Sequence, residues 1–360
     1  MHTVDKPGRL KDSSSSAPQP AALPALTRDQ KHGMLRMMVL IRRFEEQAEQ
    51  AYLRQQIRGF CHVYSGQEAI AVGTESVINR DDAVITAYRD HGHALARGMC
   101  PKACMAELLG KATGCSKGKG GSMHFFDKSK HFYGGHGIVG GQTPLGLGLA
   151  FAQKYTNTNR VTLCYLGDGA INQGVFHESL NIAALWKVPV IYIIENNLYA
   201  MGTSVARSSA GDPLVKRASG YDMAGIVANG MDVDDVRAKT AEAVNLARTE
   251  SLPSIMEIRA YRYRGHSMTD PRKYRSKDEE EQQRKRDPIE IYKQRLIDDG
   301  SITEKDYDDI EASVGAEVKE AYEFALNSPD PELEEVFDDI FAPETQIDEI
   351  ERRPKWSYGD

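Results

Sequence analysis

The chain has 360 residues, 41% of them hydrophobic, and its 45 basic and 52 acidic residues leave a net charge of -7. That is enough apolar chain for one large or two ordinary globular domains. The acidity argues against nucleic acid or anionic lipid as the main partner, so any anion site must be local. No apolar run approaches the ~20 residues of a membrane-spanning helix, and the N-terminus lacks a signal-peptide core. The five cysteines (Cys61, Cys100, Cys104, Cys115, Cys164) form no C-x-x-C pair and fit reduced thiols in a cytosol-like compartment.

Residues 1–27, MHTVDKPGRLKDSSSSAPQPAALPALT, are rich in Ser, Pro and Ala and are expected to be a disordered extension; Asp5 and Asp12 argue against a transit peptide. From Arg28 to Arg54 apolar residues recur at helical spacing, predicting a long amphipathic helix with Met34, Met37 and Met38 as core filler. GQEAIAVGTESVI predicts a second helix, and DAVITAYRDHG a short strand entering a polar loop. A glycine-rich centre follows, GCSKGKGGSMHFF and YGGHGIVGGQTPLGLGLAFAQKY. Such glycine density ordinarily means flexible loop, but Ile138 and Val139 inside it point to a fixed backbone held close to something. Gly146, Gly148, Ala150 and Ala152 then predict a helix in close contact with another.

The central unit is a strand, RVTLCYLGD, a helix, NQGVFHESLNIAALWK, and a more apolar strand, VPVIYIIENN. A right-handed crossover makes the two strands parallel and puts both carboxyl ends, hence Asp168 and Asn197, on one edge of the sheet, where open α/β sheets bind ligands. A carboxylate there would repel a bare phosphate. It suits Mg2+, which takes about six hard oxygens, few of them protein carboxylates, with phosphate and water completing the shell. Asp168 supplies the charge, Asn197 a neutral oxygen, and Tyr199 by position a main-chain carbonyl. GDG or NN alone is ordinarily a turn; together, at the ends of two strands joined by one helix, they point to a metal–diphosphate site.

GDGAINQGVFHESLNIAALWKVPVIYIIENN resembles the thiamine-diphosphate motif. The ordered set RGFCHVYSGQEA, TAYRDHG, GKGGSMH, YGGHGIVGGQTPLGLGLA, ENNLYAMGTS and YRYRGHSMTDP resembles the alpha subunits of 2-oxo acid dehydrogenase decarboxylating components, over about residues 30 to 345, with HSMTDP leaning toward pyruvate. The resemblance implies an α/β thiamine-diphosphate-binding fold with a mostly parallel sheet flanked by helices on both faces. It implies Mg2+ on Asp168, Asn197 and the Tyr199 carbonyl, with Gly169 and Ala170 supporting the diphosphate from the start of the helix. Tyr88, Arg89 and Arg262 reach the diphosphate region, backbone groups of Gly137 and Val139 hold the aminopyrimidine, and Met201 is a wedge under the bent cofactor. His62 and His266 are the implied catalytic histidines, and Ser267 matches a regulatory phosphorylation site of mitochondrial relatives. His136 receives no role.

Thiamine chemistry also needs a carboxylate to promote the imino tautomer of the aminopyrimidine. Glu195 and Glu178 are expected to have structural partners instead, and the resemblance implies that this glutamate comes from a beta subunit in an alpha2-beta2 heterotetramer. The other implied partners are pyruvate and the lipoyl domain of a dihydrolipoyl acetyltransferase, in the bacterial cytoplasm or, alternatively, the mitochondrial matrix. The segment from about 285 reads as peripheral helices and residues 346–360 as a tail, with 28–345 as the binding domain. Three other readings remain: a branched-chain 2-oxo acid or acetoin dehydrogenase alpha subunit, a Mg2+-dependent phosphohydrolase, and a noncatalytic module that retains the cofactor.

Overall fold

Apolar runs too uniform for a half-exposed sheet become parallel strands, because both of their faces are covered. The computed structural model describes residues 23–340, so the expected tail 346–360 and most of the expected extension 1–27 lie outside the described residues. The first half runs α1 (Arg28–Leu53), α2 (Glu68–Glu75), β1 (Ala83–Ala87), α3 (His91–Ala96), α4 (Pro101–Leu108), β2 (Phe132–His136), α5 (Gln142–Tyr155), β3 (Thr162–Gly167) and α6 (Gly174–Trp186). There follow β4 (Val190–Asn196), β5 (Tyr199–Ala200), β6 (Thr203–Ser204), α7 (Val205–Ser208), β7 (Ala224–Asn229), α8 (Val233–Glu250), β8 (Ser254–Arg259), α9 (Lys277–Arg284), α10 (Pro288–Asp298) and α11 (Glu304–Asn327).

Six strands form one sheet in the order β2-β1-β3-β4-β8-β7, every neighbouring pair parallel, and β5 and β6 make a separate antiparallel hairpin. Successive side chains serve opposite faces. Leu163, Tyr165, Ile191, Ile193 and Met256 enter a core shared with α1, α2, α8, α10 and α11, while Cys164, Leu166, Tyr192, Ile194 and Ile255 enter a second core under α5 and α6. The α/β fold with helices on both faces is thus present.

Helix α1 starts where Thr27 and Gln30 form a reciprocal capping box, Gln30 N donating to Thr27 Oγ1 at 3.2 Å and Thr27 N to Gln30 Oε1 at 2.9 Å. Its inner face buries Leu35, Met38 and Phe44, but also the acids Glu45 and Glu49. The C-terminal helices add Leu296, Ile310, Val314 and Val318 to the same core as α1.

Helix α5 packs on α6 as well as on the sheet, and the glycine-rich centre is sharpened at two places. Part of it, Phe132–His136, is the edge strand β2, paired with β1. In α5, the close approach at Gly146 is to the sheet: a Cβ there would lie 2.9 Å from Cys164 Sγ, whereas at Gly148 it would meet nothing within 4 Å.

Candidate functional site

Five parallel strands end on one edge, and each leads into residues of a single cavity of about 880 Å3. Tyr88 and Arg89 follow β1, Gly137 and Val139 follow β2, Asp168, Gly169 and Ala170 follow β3, and Asn197 follows β4. The segment after β8 brings Arg262 and His266, the β5–β6 hairpin brings Tyr199 and Met201, and His62 precedes α2. Every residue singled out for cofactor, metal or catalysis therefore lines one space. His136 does not line it; its Nε2 lies 3.2 Å from the Tyr133 carbonyl.

The pairing of Gly167 with Glu195 in the β3–β4 ladder sets Asp168 and Asn197 side by side. Asp168 is 3% exposed, burial pushes its carboxyl up to about 6, and its Oδ2 has no hydrogen-bond partner. Asn197 Nδ2 donates to Gln67 Oε1 at 3.0 Å, which turns Oδ1 the other way. A buried carboxylate oxygen without a donor, beside an oriented amide oxygen and a main-chain carbonyl, is an all-oxygen set whose chemistry fits a hard divalent ion.

Gly169 and Ala170 do not open α6 directly. A single 3-10 turn, Ala170–Asn172, intervenes before α6 begins at Gly174. A Cβ at Gly169 would come within 2.5 Å of Ala200 Cβ, so glycine lets the hairpin lie against this turn. The hairpin has a two-residue loop in which Met201 adopts φ 51, a left-handed conformation unusual for a non-glycine residue. That turn leaves Met201 64% exposed at the cavity.

His62, Tyr88 and His266 pack ring to ring, with centroids 4.7 Å apart for His62–Tyr88, 5.1 Å for His62–His266 and 5.6 Å for Tyr88–His266. Burial, reinforced by the Arg89 guanidinium, lowers His62 to about 2 and His266 to about 3, so both are neutral near pH 7. His62 Nδ1 is buried without a partner. Arg89 itself is committed to scaffolding, donating to the Val63 carbonyl and to the His266 carbonyl at 2.7 Å each. His266 N donates to Asp270 Oδ2 at 2.7 Å, and Ser267, 8% exposed, has its hydroxyl 2.9 Å from that of Thr269.

The carboxylates lining the cavity are Asp168, Glu195 and Asp270. Glu195 Oε1 accepts from the Tyr64 hydroxyl and lies 3.0 Å from His93 Nε2. Asp270 accepts from His266 N, from Arg272 N at 2.9 Å and from the Tyr274 hydroxyl at 2.5 Å. Glu178 lies on α6, away from this lining.

Sequence reasoning missed the residues that hold the site from behind. Gln67 orients Asn197, and Gln142 donates from Nε2 to the Tyr165 carbonyl at 2.9 Å while its Oε1 lies buried without a partner. Glu45 and His91 form a buried pair at 2.9 Å, His91 Nε2 lies 2.9 Å from Ser122 Oγ, and that oxygen accepts His62 N at 3.0 Å. Glu107 accepts four backbone N–H groups of the glycine loop at 2.7 to 3.0 Å, from Ser116, Gly118, Gly120 and Gly121. Their signal was present as acids and amides inside otherwise apolar helical stretches, since such groups are buried only when paired.

A parallel α/β sheet with a mostly apolar cavity at its carboxyl edge, into which a few polar groups converge, defines a ligand-binding class of α/β protein. Residues 36–334 match the family described as "Dehydrogenase E1 component". The chain is 54% identical over 306 residues to the pyruvate dehydrogenase E1 component subunit alpha of Rhizobium meliloti, covering 85% of this chain and 88% of that protein. It is 51% identical over 305 residues to the protein of that name from Rickettsia bellii, covering 85% and 94%. It is 48% identical over 316 residues to the mitochondrial one of Dictyostelium discoideum, covering 87% and 83%. The chain belongs to the dehydrogenase E1 component family.

Proposed function

We propose that this chain is the alpha subunit of a pyruvate-decarboxylating E1 component that binds Mg2+ and thiamine diphosphate and passes the acetyl group to a lipoyl group of an acetyltransferase partner. One observation carries the site assignment: the unpaired, buried Asp168 Oδ2 stands beside Asn197 and the Tyr199 carbonyl in a cavity that holds every other residue expected to touch the cofactor. The family match and the relatives named above support the activity.

When bound, thiamine diphosphate supplies the nucleophilic carbon and the electron sink for decarboxylation. This chain's residues bind and orient. Asp168, Asn197 and the Tyr199 carbonyl would hold the cation that neutralises the diphosphate, and Tyr88, Arg89, Arg262, Gly169 and Ala170 would line that end. Gly137 and Val139 would offer backbone groups to the aminopyrimidine, and Met201, held at the cavity by its hairpin, would pack beneath the cofactor and orient it. His62 and His266, kept neutral, donate or accept hydrogen bonds near the substrate without adding charge. Each carboxylate of the cavity is already committed, Glu195 to Tyr64 and His93, Asp270 to its own loop, and Asp168 to the cation. That no lining carboxylate among the described residues is left for the aminopyrimidine supports the assignment, implied by the resemblance, of its activating glutamate to a beta subunit.

The test measures CO2 release from pyruvate and from a branched 2-oxo acid, with and without the beta partner and thiamine diphosphate. Release from pyruvate that needs both, and that is abolished by Asp168→Ala, is the expected result. Full activity of the chain alone would overturn the shared site, and preference for the branched acid would overturn the substrate.

A further inference from the structure

Arg262 holds two of the oxygens assigned to the cation. Its Nη1 donates to Asn197 Oδ1 and to the Tyr199 carbonyl, each at 3.0 Å. Asp168 Oδ2 is left without a partner. The guanidinium is 1% exposed and clamped: Nη2 donates to the Tyr274 hydroxyl at 3.1 Å and, more weakly, to the Met201 carbonyl at 3.4 Å, and Nε donates to the Arg264 carbonyl at 3.1 Å. Tyr274 in turn donates to Asp270, which leaves its oxygen lone pairs facing Arg262. Two more guanidinium groups lie close behind. Arg89 caps the His266 carbonyl, and Arg275, set against the rings of Tyr199, Tyr261 and Tyr274, donates to the Arg262 carbonyl at 2.5 Å.

We infer that Arg262 is a displaceable counter-cation, which stands in for the divalent ion on Asn197 and Tyr199 and moves onto the diphosphate when ion and diphosphate arrive together. This rests on the metal–diphosphate reading above. A guanidinium and a divalent ion repel each other and compete for the same oxygens, so a bare ion must break the two hydrogen bonds and leave Arg262 Nη1 buried without an acceptor. A diphosphate removes both penalties, because it ligates the ion and receives the freed fork of N–H donors. The device makes either ligand weak alone and strong with the other, a coupling that is reciprocal by linkage.

The experiment titrates the full chain with Mn2+, reading free Mn2+ by electron paramagnetic resonance, first alone and then with inorganic pyrophosphate. Arg262→Gln is expected to bind Mn2+ alone roughly tenfold more tightly than the wild type, the change equivalent to one charge-assisted hydrogen bond. It should also lose most of the enhancement that pyrophosphate gives the wild type. Tyr274→Phe, which releases one arm of the clamp, should tighten Mn2+ binding in the same direction by about threefold. Unchanged or weaker binding of Mn2+ alone in Arg262→Gln overturns the inference, and if that variant does not fold, unchanged binding in Tyr274→Phe does so. The metal–diphosphate reading is judged separately. Wild-type Mn2+ binding with pyrophosphate that Asp168→Ala abolishes upholds it whatever Arg262→Gln does, and binding equal in wild type and Asp168→Ala overturns both.

Discussion

Glu107→Gln isolates what holds the glycine loop in place. In the wild type one fully buried carboxylate accepts N–H groups from Ser116 and Gly118 on Oε2, at 2.7 and 2.8 Å, and from Gly120 and Gly121 on Oε1, at 2.7 and 3.0 Å. Glutamine keeps the shape but turns one oxygen into an amide nitrogen, so two N–H groups lose their acceptor and face other hydrogens. At about 1 kcal/mol for each partly buried N–H, with the two surviving bonds weakened by loss of the charge, the cost is roughly 2–4 kcal/mol. That is a large part of the about 5–15 kcal/mol that stabilises an ordinary domain. The loop leads into Ser122, whose hydroxyl accepts His62 N, and Met123, which lines the cavity, so the damage reaches the site. Urea denaturation of the full chain gives the stability change, and trypsin cleavage at Lys117 and Lys119 reports local opening. A stability within about 0.5 kcal/mol of the wild type, with no faster cleavage, would refute the reasoning.

A second test uses the Glu45–His91 pair. Burial alone would lower the His91 pKa, but the Glu45 carboxylate outweighs it and leaves the pKa above 6.5. The contribution of the charged pair is complete below about pH 6.5 and is lost as the pH rises through the folded value. His91→Gln should therefore cost most near pH 6, roughly 3–5 kcal/mol, and less near pH 9; equal urea-derived losses at both pH values would contradict this. In NMR titrations the ring C–H resonances of His62 and His266 should stay flat between about pH 5 and 8, since burial and Arg89 hold the two groups near 2 and 3. An inflection near 6.5 would show that they are not buried as described. Gly92→Ala places a Cβ 2.3 Å from Tyr64 Cδ1 in a filled core and should cost about 1–3 kcal/mol. An unchanged thermal midpoint would mean that Tyr64 yields freely.

Local patterns in the sequence identified the architecture, and the resemblance picked out residues that the structure gathers around one cavity. Apolar runs ending in GDG and NN placed Asp168 and Asn197 on one sheet edge, because two strands joined by a crossover helix run parallel and end on the same side. The periodicity of Arg28–Arg54 predicted α1 almost to the residue, since a capped helix with one apolar stripe has few alternatives. The strand in YGGHG escaped notice because glycine carries no side chain whose alternation could mark it, and β1 alone recruits it to the edge. The partners of buried polar groups were equally out of reach: Glu107 and the loop it holds, Glu45 and His91, and Arg262 on Asn197 and Tyr199 are contacts between distant segments.

Taken alone, the sequence determined most of the helices and strands and the edge of the sheet on which Asp168 and Asn197 stand, because helical and strand periods and turn chemistry act over a few neighbouring residues. Only the tertiary structure decided which charges neutralise one another, how deeply His62 and His266 are buried, and that Arg262 rests on Asn197 Oδ1 and the Tyr199 carbonyl. Those outcomes depend on burial and on distances between groups up to scores of residues apart, which no local pattern encodes.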